Sequence, residues 1–141
     1  MNRRGFIEKT LQMNRDHEGE ELLILFADLD HLKEINDSFG HIEGDFSIRH
    51  CAEVLKKVVG ADGIVGRIGG DEFCVVTLGN LKDGQQIIER IREESDAFNC
   101  TSDKEYYVEL SAGCTSVICR NGLVIADALR EADRALYEVK N

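Results

Sequence analysis

Three carboxylates stand where they could do chemistry together. Asp71 and Glu72 follow the pair Gly69-Gly70 between the apolar runs Gly63-Ile64-Val65 and Phe73-Cys74-Val75-Val76, and Asp28 closes the unbroken run Leu22 to Ala27. A glycine pair between two apolar runs predicts a β-hairpin with a two-residue turn at positive φ, where glycine is at ease. The Leu22 to Ala27 run predicts a central strand covered on both faces, and open α/β sheets gather ligands beyond the carboxyl ends of such strands. If that end meets the hairpin tip, Asp28, Asp71 and Glu72 converge. Crowded carboxylates repel one another and hold protons more tightly unless a cation sits among them, and hard oxygen donors select Mg2+ or Mn2+. On these residues alone, a plain hairpin with solvated acids fits as well.

The elements that must position these acids follow from periodicity. Phe6, Ile7 and Leu11 suggest an amphipathic helix from Asn2 to about His17, and the strand over about Glu21 to Ala27 leads into a short helix through Lys33 and Ile35. Phe46, Ile48, Cys51, Ala52, Leu55, Val58 and Val59 recur at helical spacing, giving a long helix from about Gly44 to Val59. After the hairpin, whose second strand reaches Leu78, comes a helix over about Asp83 to Phe98. Alternation at Val108, Leu110, Ala112 and Cys114 predicts a strand from Tyr106 to Ile118, and a last helix carries Ile125, Ala128, Leu129, Ala132, Leu136 and Val139. Helices interspersed with strands predict an α/β fold, a three-layer sandwich around a mixed β-sheet.

With 141 residues, 43% of them hydrophobic, the chain can bury one sizeable core, so residues 1–141 are expected to form a single domain. A net charge of −10, from 27 acids against 17 bases, opposes binding to nucleic-acid phosphates. No run of 18 apolar residues and no basic-then-apolar leader is present, so no membrane contact is expected of this segment. Cys51, Cys74, Cys100, Cys114 and Cys119 are odd in number and lack C-x-x-C spacing, which favours reduced, mostly buried thiols and a cytoplasmic setting.

The sequence Gly69-Gly70-Asp71-Glu72-Phe73, with the eighteen-residue stretch Asp28 to Asp45 (DLDHLKEINDSFGHIEGD) upstream at the matching separation, resembles the GGDEF domains of the diguanylate cyclase family. Glu131 to Lys140 resembles that family's closing motif, and Asn2-Arg3-Arg4 the tail of its entry motif, so the resemblance covers nearly the whole chain. Because the earlier residues of the entry motif are absent, the chain is expected to be part of a longer signalling protein with an upstream sensory or dimerising region. The resemblance implies a palm-like nucleotidyl cyclase sheet and the condensation of two GTP into cyclic di-GMP with loss of two pyrophosphates. One site holds one GTP, so a second copy of the domain must face the first, at least transiently.

The resemblance further implies Mg2+ or Mn2+ held by Asp28, the Leu29 carbonyl, Asp71 and Glu72, with Asp71 and Glu72 catalytic. It assigns guanine to Asn36 and Asp45, an approach to the triphosphate to the backbone of Gly69 and Gly70, and phosphate contacts to Lys33 and Lys140. Taken alone, Asn36 suits a helix cap and Asp45 a first-turn acid. A family arginine four residues beyond Lys140 has no counterpart, since the sequence stops at Asn141. The family's Arg-x-x-Asp product-binding site also has no counterpart, because its two positions are Gly60 and Gly63. Two rivals keep their place: a catalytically idle GGDEF domain that binds GTP to control a neighbour, and a ferredoxin-like protein with no nucleotide.

Overall fold

Leu22 to Ala27 is buried at every position, as a strand covered on both faces must be. In the computed structural model, which describes residues 2–140, this run forms the middle of β1 (Glu21–Leu29). Leu22, Ile24 and Phe26 pack with Phe6 of α1 (Arg3–Asp16) and with Ala132 and Leu136 of α5 (Ile125–Lys140). Leu25, Ala27 and Leu29 face the other way, onto Leu55 and Val58 of α3 (His41–Val59) and Ile91 of α4 (Leu81–Thr101). Each Leu, Ile, Val or Phe side chain so withdrawn from water contributes roughly 1.5–3 kcal/mol. A slip of one residue would exchange the two faces, so the double core fixes the register.

The remaining strands, β2 (Ile64–Arg67), β3 (Glu72–Leu78) and β4 (Leu110–Ile118), give the sheet order β2-β3-β1-β4. The three-layer α/β arrangement is the expected one, but the sheet is not mixed, since all three pairings are antiparallel. Alternation of helix and strand along the sequence does not reveal whether another strand is inserted between the two that a helix joins. Here β3 lies between β1 and β2, and β1 lies between β3 and β4, which makes two interleaved split β-α-β units.

Local side-chain bonds move two boundaries. At the start of α4, Asn80 Oδ1 accepts from the Asp83 N–H and Asp83 Oδ2 accepts from the Asn80 N–H, both at 2.9 Å. This capping box starts the helix at Leu81 rather than at Asp83. The strand expected from Tyr106 begins only at Leu110, because the Asn99 carboxamide satisfies Val108 from both sides, donating to its carbonyl at 3.1 Å and accepting from its N–H at 3.0 Å. Val108 is therefore buried without belonging to the sheet.

All five cysteines are free. Cys51, Cys74 and Cys119 are buried, Cys114 partly so, and Cys100 is exposed. Burial pushes the Cys51 and Cys74 thiols up to about 12, which makes them inert at neutral pH. Among the described residues no helix is long and apolar enough to cross a membrane.

Candidate active site

The acids meet because β1 runs two residues further than its apolar stretch. Asp28 lies inside the strand and directly opposite Glu72, the first residue of β3. The alternation that sends Phe26 and Cys74 to the α1/α5 face sends Asp28 and Glu72 there too. Like charges placed opposite each other across a ladder destabilise it, and both neighbours carry the mark of that crowding. Burial and the Asp28 charge hold the Asp71 carboxyl above its usual range, with Lys140 partly offsetting them. Burial raises Glu72 as well, followed by the charges of Asp28, Asp71 and Asp133, against an opposing contribution from Arg3. Asp28 Oδ1 is buried and has no hydrogen-bond partner among the described residues. The Asp71 carboxyl faces Asp28, and between two carboxylates only a proton or a cation can mediate.

Among the described residues, Lys140 is the cation paired with Asp28. Its Nζ lies 2.8 Å from Asp28 Oδ2 and 3.5 Å from Asp30 Oδ1, and Asp30 Oδ2 accepts from the Ser111 hydroxyl at 2.7 Å. The bond to Asp28, ahead of the other effects, raises the Lys140 pKa. Among the described residues no three Asp, Glu, His or Cys side chains stand in a metal-coordinating cluster. The donors that could hold a hard cation are nonetheless gathered at one end of the sheet. The orphaned Asp28 Oδ1 and the raised acids are what such a cation would relieve, so the residues fit it.

The hairpin tip is not the expected two-residue turn. Residues 68–71 form a four-residue loop, and neither Gly69 nor Gly70 has φ in the left-handed region. The N–H groups of Ile68 and Gly69 both donate to Glu72 O, at 2.9 and 3.4 Å. Arg67 closes the loop from outside, its Nε donating to Gly69 O and Gly70 O at 3.1 Å each and a terminal nitrogen to Gly70 O at 2.8 Å. The missing Cβ at Gly69 leaves room for the Glu72 carboxylate, since an added one would lie 2.5 Å from Glu72 Oε1. At Gly70 an added Cβ would meet nothing within 4 Å, so that side of the backbone is open. The Leu29 N–H donates to Asp71 O at 2.8 Å, which ties the loop to the end of β1. Arg67 was not legible as a clamp, because an arginine beside a glycine pair has no periodic signature.

Asn36 and Asp45 lie on two short-spaced helices. Asn36 belongs to α2 (Leu32–Phe39), in the body of the helix rather than at a cap, and its Oδ1 lies where a Cβ on Gly44 would have to be. Gly44, in the first turn of α3, thus seats Asn36 beside Asp45, whose side chain is exposed. Lys33 is exposed on the first turn of α2, and among the described residues it forms no ion pair with the acid cluster.

The family model described as diguanylate cyclase, GGDEF domain, matches residues 1–141. The chain belongs to the GGDEF diguanylate cyclase family. Its relatives include the diguanylate cyclase DgcP of Escherichia coli, 37% identical over 99% of this chain and 42% of that protein. Another is the diguanylate cyclase DgcP of Pseudomonas aeruginosa, 35% identical over 89% of this chain and 19% of that protein. The chain thus spans less than half the length of these curated relatives. Among solved structures, the GGDEF domain of DgcB from Caulobacter crescentus in complex with c-di-GMP matches 99% of this GGDEF chain and 84% of its own, with TM-score 0.85 and 27% identity. The active GGEEF domain of a diguanylate cyclase from Vibrio cholerae matches with TM-score 0.83 and 29% identity, over 99% of this chain and 90% of its own.

Proposed function

We propose that this GGDEF domain is a diguanylate cyclase that condenses two GTP into cyclic di-GMP, releasing two pyrophosphates, where two copies of the domain face each other. The observation that carries this reading is the opposition of Asp28 and Glu72 across β1 and β3, with Asp71 beside them and Asp28 Oδ1 buried without a donor among the described residues. Acids kept together at such a cost in repulsion suit a site that handles a cationic group and a triphosphate. Mg2+ or Mn2+, when bound, would lower the pKa of the attacking 3′-hydroxyl and neutralise charge on the pyrophosphate leaving group. Asp28, the Leu29 carbonyl, Asp71 and Glu72 would hold it.

The residues of the chain do the rest. Asp71, with its raised proton affinity, is the group that accepts the proton of the 3′-hydroxyl as the oxygen attacks the α-phosphate of the facing nucleotide. The open side of Gly70 lets the triphosphate approach the backbone. Lys140 can exchange its carboxylate partners for a phosphate, and Lys33, exposed on α2, reaches for another. The test is mass spectrometry of the products formed from GTP and Mg2+ over a dilution series. Cyclic di-GMP should appear with a rate per molecule that falls on dilution, because two copies of net charge −10 must meet. No cyclic product at high protein concentration would refute the reading.

Base choice rests on Asn36 and Asp45. A carboxylate at the guanine edge accepts from the ring N–H and the exocyclic amine, whereas adenine presents an acceptor at the corresponding ring nitrogen. Asp45→Asn is expected to weaken GTP binding by roughly ten- to a hundredfold, the equivalent of one charge-assisted hydrogen bond. Calorimetry finding GTP and ATP bound equally by the unsubstituted chain would contradict the assignment.

Product feedback should be weak. Gly60 ends α3 at φ 88°, a conformation strained for any side chain, and a Cβ on Gly63 would strike the Val59 side chain. Neither position accommodates a charged side chain that could grip a guanine. Added cyclic di-GMP at saturating GTP is therefore expected to leave the rate unchanged, and non-competitive inhibition in that assay would show that another surface binds product.

A further inference from the structure

The segment 102–109, between α4 and β4, forms no regular element, yet it reaches across to the two helices assigned to the base. Tyr106 touches both. Its ring lies 5.0 Å, centroid to centroid, from that of Phe39, the last residue of α2, and its hydroxyl donates to Glu43 Oε1, in the first turn of α3, at 2.6 Å. Between Phe39 and Glu43 the chain turns at Gly40, φ 93°, which ends one helix and precedes the other. A glycine hinge leaves the angle between the two helices weakly determined by the backbone. Tyr106 therefore spans the hinge, one contact on each side.

Lys104 reinforces the same point. Its Nζ lies 2.9 Å from Glu43 Oε1 and 4.5 Å above the Phe46 ring, so it contacts the first and second turns of α3. The segment itself is anchored. Ser102 Oγ accepts from the Lys104 N–H at 3.0 Å, and the Asn99 carboxamide brackets Val108. Asn36 sits on the α2 side of the hinge and Asp45 two residues past Glu43 on the α3 side. We infer that Tyr106, aided by Lys104, is a positioning residue for guanine selection, because it fixes Asn36 and Asp45 relative to each other across the Gly40 hinge. This rests on the proposed assignment of GTP to the site.

The consequence is specific to the base. If the hinge is held by Tyr106, loosening it should blur the match to the guanine edge and leave the triphosphate contacts at the hairpin loop untouched. Inosine differs from guanosine only in lacking the exocyclic amine, so the ratio of guanine to inosine affinity reports that match directly. Calorimetry would use the 3′-deoxy triphosphates of guanosine and inosine, which lack the attacking hydroxyl and cannot be condensed.

The unsubstituted chain should bind the guanine nucleotide more tightly, and Tyr106→Phe, which removes only the hydroxyl, should reduce that preference by roughly three- to tenfold, the scale of one lost hydrogen bond. Lys104→Met should reduce it in the same direction. Lys57→Met, which removes the exposed Lys57–Glu94 pair between α3 and α4, should leave it unchanged. An unchanged ratio in both Tyr106→Phe and Lys104→Met would overturn the inference, as would an equal loss for both nucleotides, which is the signature of a merely structural role. Failure of the unsubstituted chain to bind either nucleotide would instead overturn the functional reading, and this inference with it.

Discussion

Asp71→Asn is expected to give a chain that folds, melts at a higher temperature than the unsubstituted chain in the presence of chelator, and makes almost no cyclic di-GMP. Both halves come from one geometry. Asp71 is held above its usual carboxylate range first by burial and then by Asp28, while Asp28 Oδ1 is buried with no donor among the described residues. The charge of Asp28 disfavours a second charge on Asp71 across a partly desolvated gap, and Lys140 only partly offsets it. The amide introduced by the substitution removes one charge and offers a donor to Asp28 Oδ1, so a repulsion becomes a hydrogen bond. The same amide cannot accept a proton from a 3′-hydroxyl and is a poorer donor to a hard cation than a carboxylate. Losing a general base costs roughly a hundred- to ten-thousandfold in rate. Melting curves in chelator and product formation from GTP, measured on the same preparations, check the two halves separately. A lower melting temperature would mean that the acids are not in conflict, and retained turnover would remove Asp71 from the chemistry.

Much of this site can be read from the sequence because its signals are short and local. The unbroken Leu22 to Ala27 run places Asp28 at a strand end, and the glycine pair places Asp71 and Glu72 at a hairpin tip, so convergence needs only that the two strands be neighbours. The structure makes them so, with Asp28 opposite Glu72. What the sequence hides are long-range choices. Nothing local says that β3 inserts between β1 and β2, which turns an expected mixed sheet antiparallel. Val108 continues the alternation of β4, yet a carboxamide nine residues earlier takes its backbone bonds. Gly69 and Gly70 look like residues chosen for positive φ and instead serve by what they lack, one making room for Glu72 and the other leaving the loop open. Lys140 resembles a phosphate ligand, and only the seating of α5 reveals that it rests between Asp28 and Asp30.

Gly113→Val is expected to destabilise the domain strongly, and Gly70→Ala hardly at all, although Gly70 lies in the signature and Gly113 does not. Gly113 is buried in β4 opposite Phe26, and a Cβ there would run into the backbone of Ala135 and Leu136 in α5. Backbone atoms in a helix cannot step aside as the tip of a side chain can, so α5 must lift away from the sheet. That strains the packing of Ala132 and Leu136 on β1 and carries Lys140 away from Asp28. Overpacking of a tight core costs about 1–3 kcal/mol and occasionally more. With α5 backbone in the way, about 3 kcal/mol is the reasonable scale, or roughly a 10 °C fall in melting temperature for a domain of this size. At Gly70 a methyl group meets no atom within 4 Å, and the residue is not in the left-handed region, so folding has nothing to lose. What Gly70→Ala should change is nucleotide binding, because the methyl group would occupy the open side of the loop where the proposed function places the triphosphate. Thermal denaturation of both variants, with GTP affinity measured for Gly70→Ala, separates the two roles. A stable Gly113→Val chain would mean that α5 is not seated on β4 as described, and unaltered GTP affinity in Gly70→Ala would mean that the triphosphate does not pass over this loop.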